Sequence, residues 1–128
     1  MEHTGLTQTI IGCAMKVHRT LGPGFLESVY QNALAYELRQ ADLTAECEKK
    51  IQVHYADVVV GDFVADMLID GCVLIENKAV RTLDLSHELQ LVNYLTATAL
   101  DTGILFNFGA RSLEVRRKFR TFRPKEGP

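Results

Sequence analysis

Asp66-Met67-Leu68-Ile69-Asp70-Gly71-Cys72-Val73-Leu74-Ile75-Glu76-Asn77-Lys78 consists of two apolar runs joined by Asp70-Gly71. Each run reads as a strand, yet each carries acidic groups that a buried strand rarely tolerates unless they are paired or bind a metal. Residues two apart on a strand project from the same face, so Glu76 and Lys78 share one. With Asp66 on the neighbouring run they make a set of two carboxylates and an ammonium. Hard divalent cations such as Mg²⁺ (or Mn²⁺) are held by such oxygen donors and activate water. The competing reading is an Asp at a strand entrance and a solvated Glu/Lys pair. Spacing alone leaves the two readings level.

The turn separates them. A two-residue Asp70-Gly71 loop would pair Ile69 with Cys72, set Asp66 opposite Ile75 and leave Asp66 and Glu76 on opposite faces. A three-residue loop, Asp70-Gly71-Cys72, would set Asp66 opposite Glu76. A shared carboxylate site therefore requires the odd-length loop or a bulge.

Outward from this hairpin, helical spacing of Ile10, Ile11, Ala14, Met15, Val17 and Leu21 predicts a helix over residues 7–21, broken by Gly22-Pro23-Gly24. A second helix is expected over residues 26–39, with Val29, Ala33, Leu34 and Leu38 inward. Ile51, Val53 and Tyr55 alternate with polar residues as in a half-exposed strand. Val58-Val59-Val60, a turn at Gly61-Asp62, and residues 63–69 supply one or two more. After the strand at residues 72–80, Asp84 or Ser86 can cap a helix running to Leu100. A strand at residues 104–108 and a basic one from Leu113 complete the chain. The order helix, helix, strands, helix, two strands gives an α/β (borderline α+β) layer, a mixed central sheet flanked by helices.

The 128 residues suit one domain over 1–128, with residues 121–128 as a loose tail. No apolar stretch approaches the roughly 20 residues of a membrane span, and the first residues lack a signal-peptide pattern. A cytoplasmic protein with no membrane association is expected. Three scattered cysteines (Cys13, Cys47, Cys72) make neither a disulfide framework nor a zinc ribbon. The net charge of −2 conceals an asymmetry: residues 1–110 carry −7 and residues 111–128 carry +5. That basic end, Arg116 and Arg117 included, either neutralises nucleic-acid phosphates or protects an edge strand by charge.

Glu27 opens the second helix, where a carboxylate suits the dipole. Its alternative role is a third carboxylate aimed at the metal, and Tyr30, three residues on, shares its face on the substrate side. His87, Gln90 and Tyr94 form a polar stripe on one helix face. Gln90 suits a water or phosphate oxygen and Tyr94 a phosphate or base. His87 reads as a satisfied helix-start residue in preference to a metal ligand.

Gly24-x-x-Glu27-x-x-Tyr30, Ala65-Asp66, Glu76-x-Lys78, His87-x-x-Gln90-x-x-x-Tyr94-Leu95 and Asn107-Phe108-Gly109 together resemble the GxxExxY protein family of the PD-(D/E)xK nuclease superfamily. The likeness extends from about Ile10 to Phe119. Gln90-x-x-x-Tyr94 is also similar to the motif of the RecB-like branch. The resemblance implies a restriction-endonuclease-like core, with Asp66, Glu76, Lys78 and Gln90 catalytic and Glu27, Asp66 and Glu76 as metal ligands, and the Asn77 carbonyl, whose backbone lies at the same place, is expected as a further ligand. From their spacing and charge, Tyr30, His87, Tyr94, Arg116 and Arg117 are expected on the substrate. Ala65 departs from the proline of the signature. The expected activity is metal-dependent hydrolysis of DNA or RNA phosphodiesters. The alternative is a catalytically inactive nucleic-acid- or partner-binding module on the same scaffold. A homodimer or a partner protein is compatible with either.

Overall fold

The computed structural model describes residues 3–120. Residues 121–128, with the expected tail and its Arg123 and Lys125, lie outside the described residues. The elements are α1 (Thr4–Leu21), α2 (Glu27–Gln40), β1 (Ala45–Tyr55), β2 (Val58–Ile69), β3 (Val73–Lys78), α3 (Leu85–Thr98), β4 (Thr102–Asn107) and β5 (Glu114–Phe119). This is the order expected from the sequence. Five strands form one mixed sheet in the order β1-β2-β3-β4-β5, in which only β3 and β4 run parallel. Among the described residues no helix is long and apolar enough to cross a membrane.

Two apolar layers cover the sheet. Ile10, Ala14, Val17, Tyr30, Leu34 and Leu38 of α1 and α2 bury Met67, Ile69, Val73, Ile75, Ile104 and Phe106 on one face. Leu91 and Leu95 of α3 bury Ala65, Leu68, Leu74 and Leu105 on the other. Strands β3 and β4, covered on both sides, are continuous apolar runs, as parallel pairs usually are. Asp84 caps α3, accepting from the Ser86 amide at 2.8 Å while the Asp84 amide donates to His87 Nδ1 at 3.2 Å. Val29 points outward, not inward: Tyr30 and Leu34 carry the α2 stripe instead.

The expected turn at Gly61-Asp62 is absent. β2 runs unbroken through both residues, and the hairpin turns at Ala56-Asp57, where Ala56 takes a left-handed φ of 55°. Gly61 sits in the ladder opposite Val53, beside the register shift at Val53/His54, so the glycine marks an irregularity within the strand.

Candidate active site

The turn after β2 has the odd length. Ile69 pairs with Val73, leaving Asp70-Gly71-Cys72 as a three-residue loop with left-handed Asp70 (φ 51°) and Gly71 (φ 69°). The Cys72 amide closes it onto the Ile69 carbonyl at 3.0 Å. Asp70 Oδ1 accepts from the Thr44 amide and hydroxyl, which holds the turn against the start of β1.

β2 and β3 pair over only three positions, Met67↔Ile75 to Ile69↔Val73. Beyond them β3 stays with β4 while β2 leaves with β1, so the sheet forks at Asp66 and Glu76. The fork has a visible cause in packing. Met67 and Ile69 belong to the α1/α2 layer, but Ala65 and Phe63 of the same strand pack with α3, so β2 rotates its faces between Ala65 and Met67. In β1, Glu48 stands across from Asp66 between the pairs Cys47↔Met67 and Lys49↔Ala65. It makes the matching kink with a left-handed φ of 57°.

Side chains take over the backbone bonding that the fork breaks. The Asp66 amide donates to Glu76 Oε2 at 2.9 Å, and the Asn77 amide donates to Asp66 Oδ2 at 2.7 Å. This reciprocal brace fixes both carboxylates, and each keeps its second oxygen without a protein partner among the described residues. Glu76 is only 5% exposed. Burial, then the neighbouring Asp66 charge, pushes its carboxyl up to about 8. Burial likewise raises Asp66, with Glu27 and Glu48 adding repulsion and the Asn77 amide and Lys78 opposing it. Two desolvated carboxylates facing one another are a poor arrangement unless a cation lies between them. The donor set is all oxygen, which fits Mg²⁺ or Mn²⁺.

The other expected residues divide. Lys78 ends β3 on the Glu76 face; its charge stabilises both carboxylates through space, beyond ion-pair distance. Tyr94 stacks on Phe63 with centroids 3.7 Å apart, and burial followed by Glu76 and Asp66 raises its phenol. Tyr94 of α3 therefore lies within electrostatic reach of both carboxylates. Exposed Gln90, one turn before Tyr94, lies on the same polar stripe without a partner among the described residues. His87 lies a further three residues back, where its ring serves the α3 cap.

Glu27 is exposed at the start of α2 and repels both carboxylates, but among the described residues no three His, Cys, Asp or Glu side chains converge as a metal cage. Tyr30, expected on the substrate, lies in the core. It is fully buried, its ring stacks on Phe108 at 4.8 Å, and its hydroxyl donates to the Gly22 carbonyl and accepts from the Phe25 amide. Three residues advance a helix by about 300°, enough here to carry Tyr30 into the core while Glu27 stays outside. Arg116 lies 3.9 Å from both Glu88 and Glu114, and Lys118 pairs with Glu88 at 2.8 Å. Much of the basic strand is thus neutralised within the fold. Arg117 is exposed and makes no ion pair among the described residues.

Two participants carried no sequence signal strong enough to find them. Glu48 accepts from Gln31 Nε2 at 2.8 Å, and Gln31 Oε1 accepts from the Asn77 side-chain amide at 3.5 Å. Asn77, 1% exposed, keeps its Oδ1 unpartnered in the α1/α2 layer. Gln31 stands four residues after Glu27 and was in principle legible as its helical neighbour. Glu48 was not, because its place beside Asp66 depends on pairing.

The sheet thus forks at two braced carboxylates, the second of which opens Glu76-Asn77-Lys78 at the end of an apolar strand. The PD-(D/E)XK nuclease superfamily model matches residues 4–118, and the chain belongs to that superfamily. No curated protein matches the chain. Among solved structures it is similar to one described as the crystal structure of SSO0001, with a TM-score of 0.59 and 20% identity. That likeness is one of fold. It covers 75% of this chain and 52% of the other, so the chain spans about half the length of that protein.

Proposed function

We propose that the protein is a metal-dependent phosphodiesterase that hydrolyses DNA or RNA, of the GxxExxY type and close to the RecB-like branch. The observation that carries this reading is the braced Asp66–Glu76 pair at the fork, where burial opposes ionisation and each carboxylate has an oxygen to spare. Asp66 and Glu76 would hold Mg²⁺ or Mn²⁺, with the Asn77 carbonyl and Glu27 as further donors. The ion supplies Lewis acidity and water activation when bound. Lys78 places positive charge where the phosphoryl group gains negative charge. Gln90 and Tyr94 orient the substrate from α3, and Arg117 adds sequence-independent phosphate affinity. The protein is read as cytoplasmic and off the membrane, alone or with a second copy or partner.

Metal-dependent cleavage of single- and double-stranded DNA and RNA tests this. Glu76→Ala and Lys78→Ala should each lower the rate at least about 100-fold. Equal residual cleavage in parent and variants would identify a contaminant and defeat the reading. One observation favours the alternative of an inactive binding module: among the described residues no third acidic, His or Cys side chain converges with the pair. Salt-dependent binding without turnover, indifferent to Glu76→Ala, would establish it.

A further inference from the structure

A cavity of about 360 Å³ lies between the C-terminal turn of α1 and the β4–β5 turn, lined by Met15, His18, Arg19, Arg111, Ser112, Leu113 and Val115. This is the size of a small-ligand site. Its lining holds two guanidiniums and no carboxylate. Arg19 and Arg111 are both exposed, and neither makes an ion pair or hydrogen bond among the described residues. Their neighbours differ: Arg116, Lys118 and Arg120 of the same basic end are matched by Glu88, Glu114 and Asp101. Charge left unmatched on two arginines facing one concavity, in a chain whose first 110 residues carry −7, calls for an anion from outside.

The cavity is held in shape. His18 is buried and its Nε2 bonds the Ala110 carbonyl at 2.9 Å, tying α1 to the residue before Arg111. Asn107 Oδ1 accepts from the amides of Val80 and Gly109, which locks the start of the β4–β5 turn to the chain leaving β3. Met15, half exposed on an otherwise buried helix stripe, joins Leu113 and Val115 as an apolar floor. Its exposure is the one place where the α1 pattern departs from core packing.

Position ties this cavity to the carboxylates. β3 and β4 run parallel with Lys78 opposite Asn107, so the β4–β5 turn leaves the sheet at the end where Lys78 lies. Glu76 and Lys78 project on the α3 side of the sheet and the cavity opens on the α1 side, so the two are related by the common end of the sheet around which a strand would pass. We propose that Arg19, Arg111 and Ser112 bind a backbone phosphodiester of the nucleic-acid substrate flanking the scissile bond, with the adjoining nucleotide resting on Met15, Leu113 and Val115. The proposal rests on the nuclease reading and adds to it a second anchoring point.

The test is binding of a fluorescent 12-nucleotide single strand, without metal, to the parent, to Arg19→Gln/Arg111→Gln and to Lys50→Gln. Lys50 is an exposed cation on β1 that likewise makes no ion pair among the described residues. The double variant should bind roughly tenfold more weakly, with a salt dependence shallower by about 0.7 per lost phosphate contact. Lys50→Gln should change affinity less than about twofold. Equal loss in Lys50→Gln would show diffuse attraction in place of a site and overturn the proposal. Unchanged binding in the double variant, with metal-dependent cleavage intact, would overturn it and leave the nuclease reading standing. Absence of both binding and cleavage in the parent would remove both together. Inorganic phosphate is the separate arm: if it shifts the Ser112 and Leu113 amide resonances and the oligonucleotide does not, the cavity serves free phosphate and the substrate assignment fails.

Discussion

Replacing Glu76 by Gln tests the central physical argument without any substrate. The buried carboxyl is pushed up to about 8 from an ordinary value of 4.5, first by burial and then by Asp66. A carboxyl raised in the folded state favours folding while it is protonated. That contribution is present below pH 4.5 and lost as pH climbs to about 8, because the unfolded chain ionises freely and the folded one does so at a cost. At about 1.4 kcal/mol per pH unit, the metal-free protein should lose roughly 3–5 kcal/mol over that window. For a domain of this size that is on the order of 10 °C in melting temperature. Glu76→Gln keeps an oxygen for the Asp66 amide and carries no charge, so its stability should stay flatter across the same window. The variant should be the more stable protein at pH 8 and similar to the parent at pH 4.5. Thermal melts in chelator from pH 4.5 to 8.5 read this out. Adding Mg²⁺ or Mn²⁺ at pH 8 should then raise the parent by mass action and leave the variant unmoved. Parallel pH curves for the two proteins would refute the argument that Glu76 is held neutral by its surroundings.

Lys78→Met removes the ammonium and keeps most of the stem. It should abolish cleavage while changing stability by under about 1 kcal/mol, since Lys78 makes no ion pair among the described residues; retained turnover would dismiss it from the reaction. Tyr30→Phe leaves the Phe108 stack but strips the Gly22 carbonyl and Phe25 amide of their buried partner. Chemical denaturation should show a loss of about 1–3 kcal/mol with KM unchanged, whereas a KM effect alone would return Tyr30 to the substrate. At Gly109 a Cβ would stand 2.4 Å from the Val80 carbonyl oxygen, so Gly109→Ala should cost about 1–3 kcal/mol and disturb the chain just beyond Lys78. A melt identical to the parent would mean that the β4–β5 turn yields freely.

The sequence by itself determined the element order, because apolar periodicity and glycine breaks are local signals that act within a few residues. It also determined that a shared Asp66–Glu76 site requires a three-residue turn, since strand parity permits nothing else. Gly61 misled it: a glycine beside an aspartate reads as a turn, and only the pairing of β2 with β1 carries the strand through. Tyr30 misled it too, as three residues on a helix leave the face open by some 60°, which tertiary packing alone resolves. The neutralisation of Arg116 and Lys118 by Glu88 likewise depended on where α3 lies. What only the tertiary structure decided was why the carboxylates meet at all. β2 must follow two layers at once, so it turns its faces at Asp66 and parts from β3. The amides freed at that fork are bound by the two carboxylates. Partition between two cores is a long-range property, and no local pattern in either strand encodes it.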